Sequence, residues 1–220
     1  MIKNSASGRV FFCRDFRRTP FQRTYLERKH HHPNQIPMNP KKGLLLIAEP
    51  SIIGDLSFNR SVILLTEHNH EGSVGFILNK RLDFDLNDLV PQLNEKINLY
   101  SGGPVEQDSL YFIHNAPGLI DGSVLIEKNV YWGGDLEQVV ALLNNSALTA
   151  DQIQFFLGYS GWGPEQLFDE WQNNNWQVRA NDLHHDKIHK TDSTYWRSKM
   201  KALGGDYLLW FNAPEDPSFN

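Results

Sequence analysis

Four polar residues flank two short apolar segments, Ser61–Thr66 and Ser73–Leu78, that have the composition of paired strands. If the segments pair and the four side chains converge, they supply a cation, a carboxylate, an imidazole and an amide, which suffice for general acid–base chemistry. The alternative is a hydrogen-bond network that closes the hairpin, because buried polar groups need partners in any fold. These candidate catalytic residues are Arg60, Glu67, His68 and Asn79.

A glycine-rich segment, Leu157–Pro164, joins a predicted strand to a predicted helix. Its glycines favour a tight backbone turn, and Ser160 invites comparison with the G-x-S-x-G motif of serine hydrolases. The motif is incomplete, since Trp162 occupies its last position. A structural turn and a site for a neutral or aromatic-stacking ligand both remain open. The candidate ligand-binding residues are Gly158, Tyr159, Gly161, Trp162, Gly163 and Gln166.

Three partial metal patterns occur in the sequence, and none is complete. His68 and His70 have strand spacing but lack a third ligand. His185 and His189 lie one helical turn apart, without the H-E-x-x-H pattern of zinc proteases. The acidic run 83–88 departs from a calcium loop at its sixth position. We therefore expect neither a metal nor a cofactor.

Charge is distributed unevenly along the 220 residues, whose net charge is −5. Residues 1–37 carry eight Lys and Arg residues against two Asp and Glu residues (+6), which leaves −11 on residues 38–220. A body of that sign repels a phosphate backbone, so we expect it not to bind nucleic acid directly. The sequence contains no apolar run of membrane-spanning length, and the lone Cys13 excludes an internal disulfide.

The basic arm, residues 1–37, shows neither helical nor strand periodicity. Three interpretations are open: upstream sequence with translation starting at Met38, a disordered tail that touches nucleic acid, a membrane or the acidic body, or an Arg-rich transit peptide. The arm lacks the apolar core of a secretory signal, so we do not expect export by that route. The predicted boundary leaves residues 38–220 as one domain.

Hydrophobic periodicity places the ordered elements between residues 43 and 212. The clearest helix follows Asp135, because Leu136, Val139 and Leu143 share one face. Several strands adjoin through short loops, including one at 67–72, which favours an α+β fold with a mixed, largely antiparallel sheet. Further helices are predicted at 85–90, 164–171 and 193–203, and strands at 43–48, 61–66, 73–78, 97–100, 110–114, 124–126, 130–132, 153–159, 176–179 and 207–211.

Several sequence blocks, in the same order, resemble the YqgE/AlgH family of bacterial proteins. They are residues 43–50, 58–62, 67–68, 75–80, 102–105 and 157–167, with Glu170 and Trp176. The resemblance implies a cytoplasmic, single-domain α+β protein whose sheet bends toward a pseudo-barrel and is flanked by helices. It also implies a family label of transcriptional regulator and an alanine in many members where this chain has Ser160, which a nucleophile would not allow. It brings no established catalytic residues.

We therefore predict a regulatory or binding protein without enzymatic activity, which acts through a protein partner or a small-molecule ligand. Its body is expected to contact neither nucleic acid nor a membrane. The alternative is an enzyme that acts on a small molecule. Its site would lie near Arg60 and His68 on one side and the Gly158–Gly163 turn on the other.

Overall fold

A single large sheet organises the part of the chain that the structure, a computed structural model, describes: residues 38–52, 55, 57–183, 188 and 192–213. Within those ranges there are ten strands: β1 Leu45–Ala48, β2 Val62–Asn69, β3 Gly72–Ile77, β4 Arg81–Asp85, β5 Asn98–Ser101, β6 Val105–His114, β7 Val124–Glu127, β8 Val130–Trp132, β9 Ile153–Trp162 and β10 Trp176–Arg179. The same ranges contain four α-helices: α1 Leu136–Asn144, α2 Gln166–Gln172, α3 Thr194–Leu203 and α4 Leu208–Asn212. Short 3₁₀ turns lie at Leu86–Asp88, Ala150–Gln152 and Gly205–Tyr207.

β9 is the central strand of this sheet. It pairs antiparallel with β6 on one edge, and on the other it pairs parallel with β5 and antiparallel with β3. The path through the sheet is β10-β1-β2-β3-β9-β6-β8-β7, and β4 pairs with β5. The remaining pairs between described strands are antiparallel. The predicted α+β fold with a mixed, largely antiparallel sheet is therefore confirmed.

The sheet is bent but not closed. Its path ends at β10 on one side and at β7 on the other. Glu127, the last residue of β7, nevertheless lies against Gly43, where a Cβ atom would be 2.8 Å from the Glu127 Oε2 atom. The bend thus carries the end of β7 to the chain segment just before β1.

Helices cover both faces of the sheet. Successive side chains of a strand point to opposite faces, so the apolar strands present apolar side chains on each face for a helix to pack against. Ile47 of β1 packs in the cluster that contains Trp196 and Met200 of α3, whereas its neighbour Leu46 packs in the cluster that contains Leu167 of α2. α1 covers a third cluster, on β5, β6 and β9. Each fully buried large apolar side chain contributes roughly 1.5–3 kcal/mol to the stability of the fold. The three apolar clusters are therefore the main attachment of α1, α2 and α3 to the sheet.

Glycines allow two backbones to touch where the β5–β6 connection crosses β9. A Cβ atom at Gly102 would lie 2.2 Å from the carbonyl oxygen of Gly158, and one at Gly103 would lie 2.3 Å from that of Tyr159. Gly158 has φ +69°, a left-handed conformation that favours glycine. This irregularity interrupts the alternation, so that Phe156 and Tyr159 pack on the same face although they are three residues apart.

Most predicted elements are present, and the exceptions are few. The strand predicted at 207–211 is wrong, because this segment is the end of a 3₁₀ turn followed by α4. The apolar run at 207–211 is compatible with a strand or a helix. Tyr207 and Trp210, which are three residues apart as on one helix face, pack against the cluster that contains Trp196 and Met200 of α3. The helix predicted at 85–90 is only a 3₁₀ turn at 86–88, and the loop predicted at 67–72 is mostly strand. The turn predicted at 157–164 is also largely strand, since β9 continues to Trp162.

We expect Gly158→Ala to lower the free energy of unfolding by about 3 kcal/mol or more, because the methyl group would lie 2.7 Å from the carbonyl oxygens of Gly103 and Val105. Gly118 is the matched control: it has φ +73°, and an added methyl group there would meet no other atom within 4 Å. Gly118→Ala should therefore cost only about 1 kcal/mol. Urea denaturation of both variants measures the difference, and equal losses would contradict the close approach at Gly158.

Candidate functional site

Asn79 and Arg60 meet at the start of β2. The buried Asn79 side chain accepts a hydrogen bond from the Val62 N–H (2.8 Å) and donates one to the Arg60 carbonyl oxygen (2.9 Å). The Arg60 guanidinium lies 5.2 Å from the centre of the Trp196 ring and donates to the Ala213 carbonyl oxygen at 3.3 Å. Asn79 thus binds the backbone at the start of β2, and Arg60 joins the same point to Trp196 of α3 and to the backbone of Ala213.

Glu67 and His68 lie at the opposite end of β2. His68 is exposed, and its Nδ1 atom lies 2.7 Å from the Ser73 hydroxyl across the β2–β3 hairpin. At a rise of about 3.3 Å per residue, His68 lies roughly 20 Å along the strand from Val62. The four candidate catalytic residues therefore form two separate groups rather than one cluster.

The last residues of the glycine-rich segment pack against α2. The indole N–H groups of Trp162 and Trp176 both donate to Glu170 Oε2, at 3.0 and 2.8 Å. Gln166 donates to the other Glu170 oxygen at 3.1 Å and accepts from the Gly163 N–H at 3.0 Å. Glu170 thus satisfies three donors and fixes α2 to β9 and β10. Sequence reasoning did not single it out as a site residue, although its four-residue spacing from Gln166 on one helix face was available.

Tyr159 lies on the face of the sheet opposite to that of Trp162, as the alternation of side chains along β9 requires. Its ring is nearly perpendicular to that of Tyr111, at 82° with 5.7 Å between the ring centres. The Tyr111 hydroxyl donates to Glu106 at 2.5 Å. Burial, together with the Glu106 carboxylate, raises the pKa of both tyrosines above the ordinary value. The candidate ligand-binding residues are therefore divided between two faces.

Ser160 does not occupy the position of a reactive nucleophile. Its side chain is fully buried, and its hydroxyl donates to the Gly102 carbonyl oxygen at 3.1 Å. The helix that follows begins at Gln166 rather than at Pro164, and Glu165 before it has φ +60°. The Gly163 N–H, which could have faced an anion, already donates to Gln166.

The metal patterns lead to no assembled site within the ranges that the structure describes. No group of three His, Cys, Asp or Glu side chains there is placed to hold a metal ion. His185 and His189 lie outside the described residues.

No described helix has both the length and the apolar character needed to cross a membrane. A small cavity of about 140 Å³ lies between β5, β9 and the turn before β9, lined in part by Tyr100 and Gln154, and it includes none of the candidate residues.

A family model described as AlgH-like matches residues 45–208, which is most of the described chain. The chain belongs to the AlgH-like family. This confirms the resemblance found in the sequence blocks.

Relatives and solved structures agree with that assignment. A UPF0301 protein of Cytophaga hutchinsonii is 41% identical over 181 residues, covering 81% of this chain and 98% of that protein. One of Bacteroides thetaiotaomicron is 36% identical over 183 residues, covering 82% and 92%. The solution structure of the AlgH protein from Pseudomonas aeruginosa matches with a TM-score of 0.60 at 25% identity, over 83% of this chain and all of that one. A crystal structure of a Corynebacterium diphtheriae protein matches with a TM-score of 0.64 at 25% identity, over 81% and 95%.

His114, at the end of β6, is completely buried. Its Nδ1 accepts from the Ala116 N–H at 3.3 Å, so its Nε2 carries the proton and donates to the Ser123 hydroxyl at 2.9 Å. Ser123 in turn donates to the Ile120 carbonyl oxygen at 2.8 Å. Burial lowers the pKa of His114 to about 4, and the ring stacks on Tyr131. The neutral imidazole therefore connects strand to loop and is a structural group.

We expect Asn79→Ala to lower the free energy of unfolding by about 2–3 kcal/mol, because the buried Val62 N–H loses its acceptor and the half-buried Arg60 carbonyl oxygen loses the Asn79 donor. His68→Ala, at the exposed end of the same strand, should cost about 0.5 kcal/mol or less. Urea denaturation followed by circular dichroism measures both. Similar losses for the two variants would contradict the separation of the residues into a buried and an exposed group.

We expect stability to fall as the pH is lowered from about 6.5 to 4, because the unfolded chain then protonates His114 while the folded chain does not. A folded pKa of about 4 against an ordinary 6.5 corresponds to about 3 kcal/mol, fully lost near pH 4. Urea denaturation across this range should show a shallower pH dependence in His114→Phe. The exposed His70 supplies the control, and a His70→Asn variant that changed the slope equally would refute this assignment.

Proposed function

We propose that this AlgH-like protein is a binding protein with a regulatory role and without enzymatic activity. It acts through a protein partner or a small-molecule ligand in the cytoplasm. The observation that best supports this function is the separation of its polar residues: Asn79, Ser160 and Glu170 each hold together parts of the fold through hydrogen bonds. Catalysis instead needs such groups within reach of one reacting atom.

The charge of the body supports an indirect mode of regulation. Residues 38–220 carry −11, which disfavours contact with a DNA backbone. A regulator of this charge influences transcription more readily through another protein or a ligand than by occupying DNA itself.

One observation favours the alternative, an enzyme that uses His68 near the glycine-rich segment. The His68 Nδ1 atom lies 2.7 Å from the hydroxyl of Ser73, and Ser73 is directly opposite Trp162 in the sheet. A histidine beside a hydroxyl is a common arrangement for activating a nucleophile. Ser73 is almost fully buried, however, and Arg60 is at the far end of the strand, so the binding function has the stronger support.

The experiment is a screen of the full chain against a metabolite library, in which NMR follows both the protein and each compound. We expect saturable binding of at least one compound, which is recovered unchanged after prolonged incubation. Duplex DNA at physiological salt should not bind to residues 38–220 within the full chain, so removal of the arm should abolish any residual salt-sensitive affinity.

Chemical conversion of a bound compound would contradict the proposal. If His68→Ala then stopped the conversion while an Asn69→Ala control did not, the enzyme alternative would replace it. Absence of any bound compound, together with absence of a protein partner in a pull-down from the native host, would reject both forms of the binding function.

A further inference from the structure

One surface group combines two aromatic rings with a carboxylate. It consists of Glu106, Tyr111 and Tyr159, and we name it the Glu106 cluster. Both tyrosine rings are half-buried, so part of each reaches the surface, and Glu106 is exposed. The rings stand nearly perpendicular, at 82° and 5.7 Å, which is the arrangement of two adjoining walls.

The fold holds Glu106 beside the rings through a wide bulge in β6. Val105 is opposite Tyr159, yet Leu110 is opposite Leu157, so three additional residues of β6 project from the ladder. Glu106 is the first residue after Val105 and has φ +47°, a left-handed conformation that is uncommon for a residue other than glycine. Its carboxylate accepts the Tyr111 hydroxyl at 2.5 Å. The strained backbone and the hydrogen bond together fix the carboxylate in place.

The Tyr159 ring is also held in position. A Cβ atom at Gly161 would lie 3.2 Å from Tyr159 Cε2 and 3.7 Å from Val105 Cγ2, so the ring lies along its own strand over a residue without a side chain. Tyr111 is supported from below by Phe76, with 5.6 Å between the ring centres. The walls are thus preorganised, which reduces the entropy that a ligand must overcome on binding.

Electrostatics select the kind of ligand. Aromatic faces carry partial negative charge and attract cations, and a carboxylate adds a full negative charge at the edge. Tyrosine hydroxyls are neutral at ordinary pH, and burial together with the Glu106 carboxylate raises the pKa of both tyrosines further above their usual value, so neither ring competes with the carboxylate as a charged group. A single carboxylate offers too few oxygen ligands for Ca²⁺ or Mg²⁺, whereas ring faces suit alkylated nitrogen.

We propose that the Glu106 cluster binds a small organic ammonium ion, with the cation against Tyr111 and Tyr159 and Glu106 at its side. This inference rests on the proposed binding function, for which it names a ligand class. The acidic body supports it, since a charge of −11 on residues 38–220 raises the local concentration of cations.

The test compares choline with 3,3-dimethylbutan-1-ol, a neutral molecule of the same shape in which carbon replaces the charged nitrogen. Each is titrated into the full chain, and NMR follows the amide signals of residues 105–111 and 158–161. We expect saturable shifts with choline and at least tenfold weaker binding of the neutral alcohol. Equal affinity for the two would overturn the proposal, because it would show an apolar site rather than a cation site.

Substitutions separate the ring from the charge. Tyr159→Leu should weaken choline binding by about threefold to thirtyfold, while Tyr159→Phe, which keeps the aromatic face, should retain it. Glu106→Gln should weaken binding by about fivefold. Glu95→Gln removes the same charge from an exposed position elsewhere and should change affinity by less than about twofold. Matching amide spectra of the unliganded variants check that each remains folded.

The outcomes distinguish this inference from the proposed function. If choline and tetramethylammonium produce no saturable shift while another compound from the metabolite screen binds, the cation site is wrong and the binding function stands. If Glu106→Gln and Glu95→Gln weaken binding equally, the attraction comes from the whole body and the cluster is not the site. If choline is converted to another compound, the non-enzymatic function itself fails.

Discussion

Two chain segments touch where Gly102 and Gly103 cross Gly158, and the pairing of β9 with its three neighbouring strands depends on that approach. The Gly102 N–H donates to the Leu157 carbonyl oxygen at 2.8 Å. Its own carbonyl oxygen accepts from the Ile77 N–H at 2.9 Å and from the Ser160 hydroxyl at 3.1 Å. One residue thus connects β3, β9 and the β5–β6 connection. A side chain at any of the three glycines would press against the backbone of the facing segment and strain these hydrogen bonds.

The same contact decides how the glycine-rich segment is used. Because the left-handed Gly158 interrupts the alternation of β9, Tyr159 joins the α3 face while Trp162 joins the α2 face. The residues around Trp162 pack about Glu170, and their polar atoms form hydrogen bonds with one another. The residues around Tyr159 stay partly open to solvent, with the Glu106 carboxylate beside them. A segment that looks like one motif in the sequence is therefore a structural anchor at one end and, at the other, the surface for which we propose a ligand.

Local signals in the sequence predicted much of the fold. Asp135 caps α1 through its side chain, and the helix follows it immediately, because the cap and the apolar spacing both lie within a few residues. Contacts between distant segments were not accessible in this way. The Glu106 cluster requires the bulge in β6 and the irregularity in β9 to coincide, and no periodicity encodes that match of register. Arg60 and His68 flank one predicted hairpin, which suggests that they are close together, but β2 runs from Val62 to Asn69 and separates them by its length.

Trp162 and Trp176 both donate to one oxygen of Glu170, and their rings lie 5.9 Å apart at 84°. Indole chromophores at this distance interact electronically, so the pair has an optical signature that neither ring has alone. The two tryptophans belong to strands, whereas Glu170 belongs to α2. Departure of the helix from the sheet removes the acceptor of both N–H groups and admits water to both rings. The near-ultraviolet circular dichroism that arises from this pair therefore reports on the seating of this one helix, without any added label.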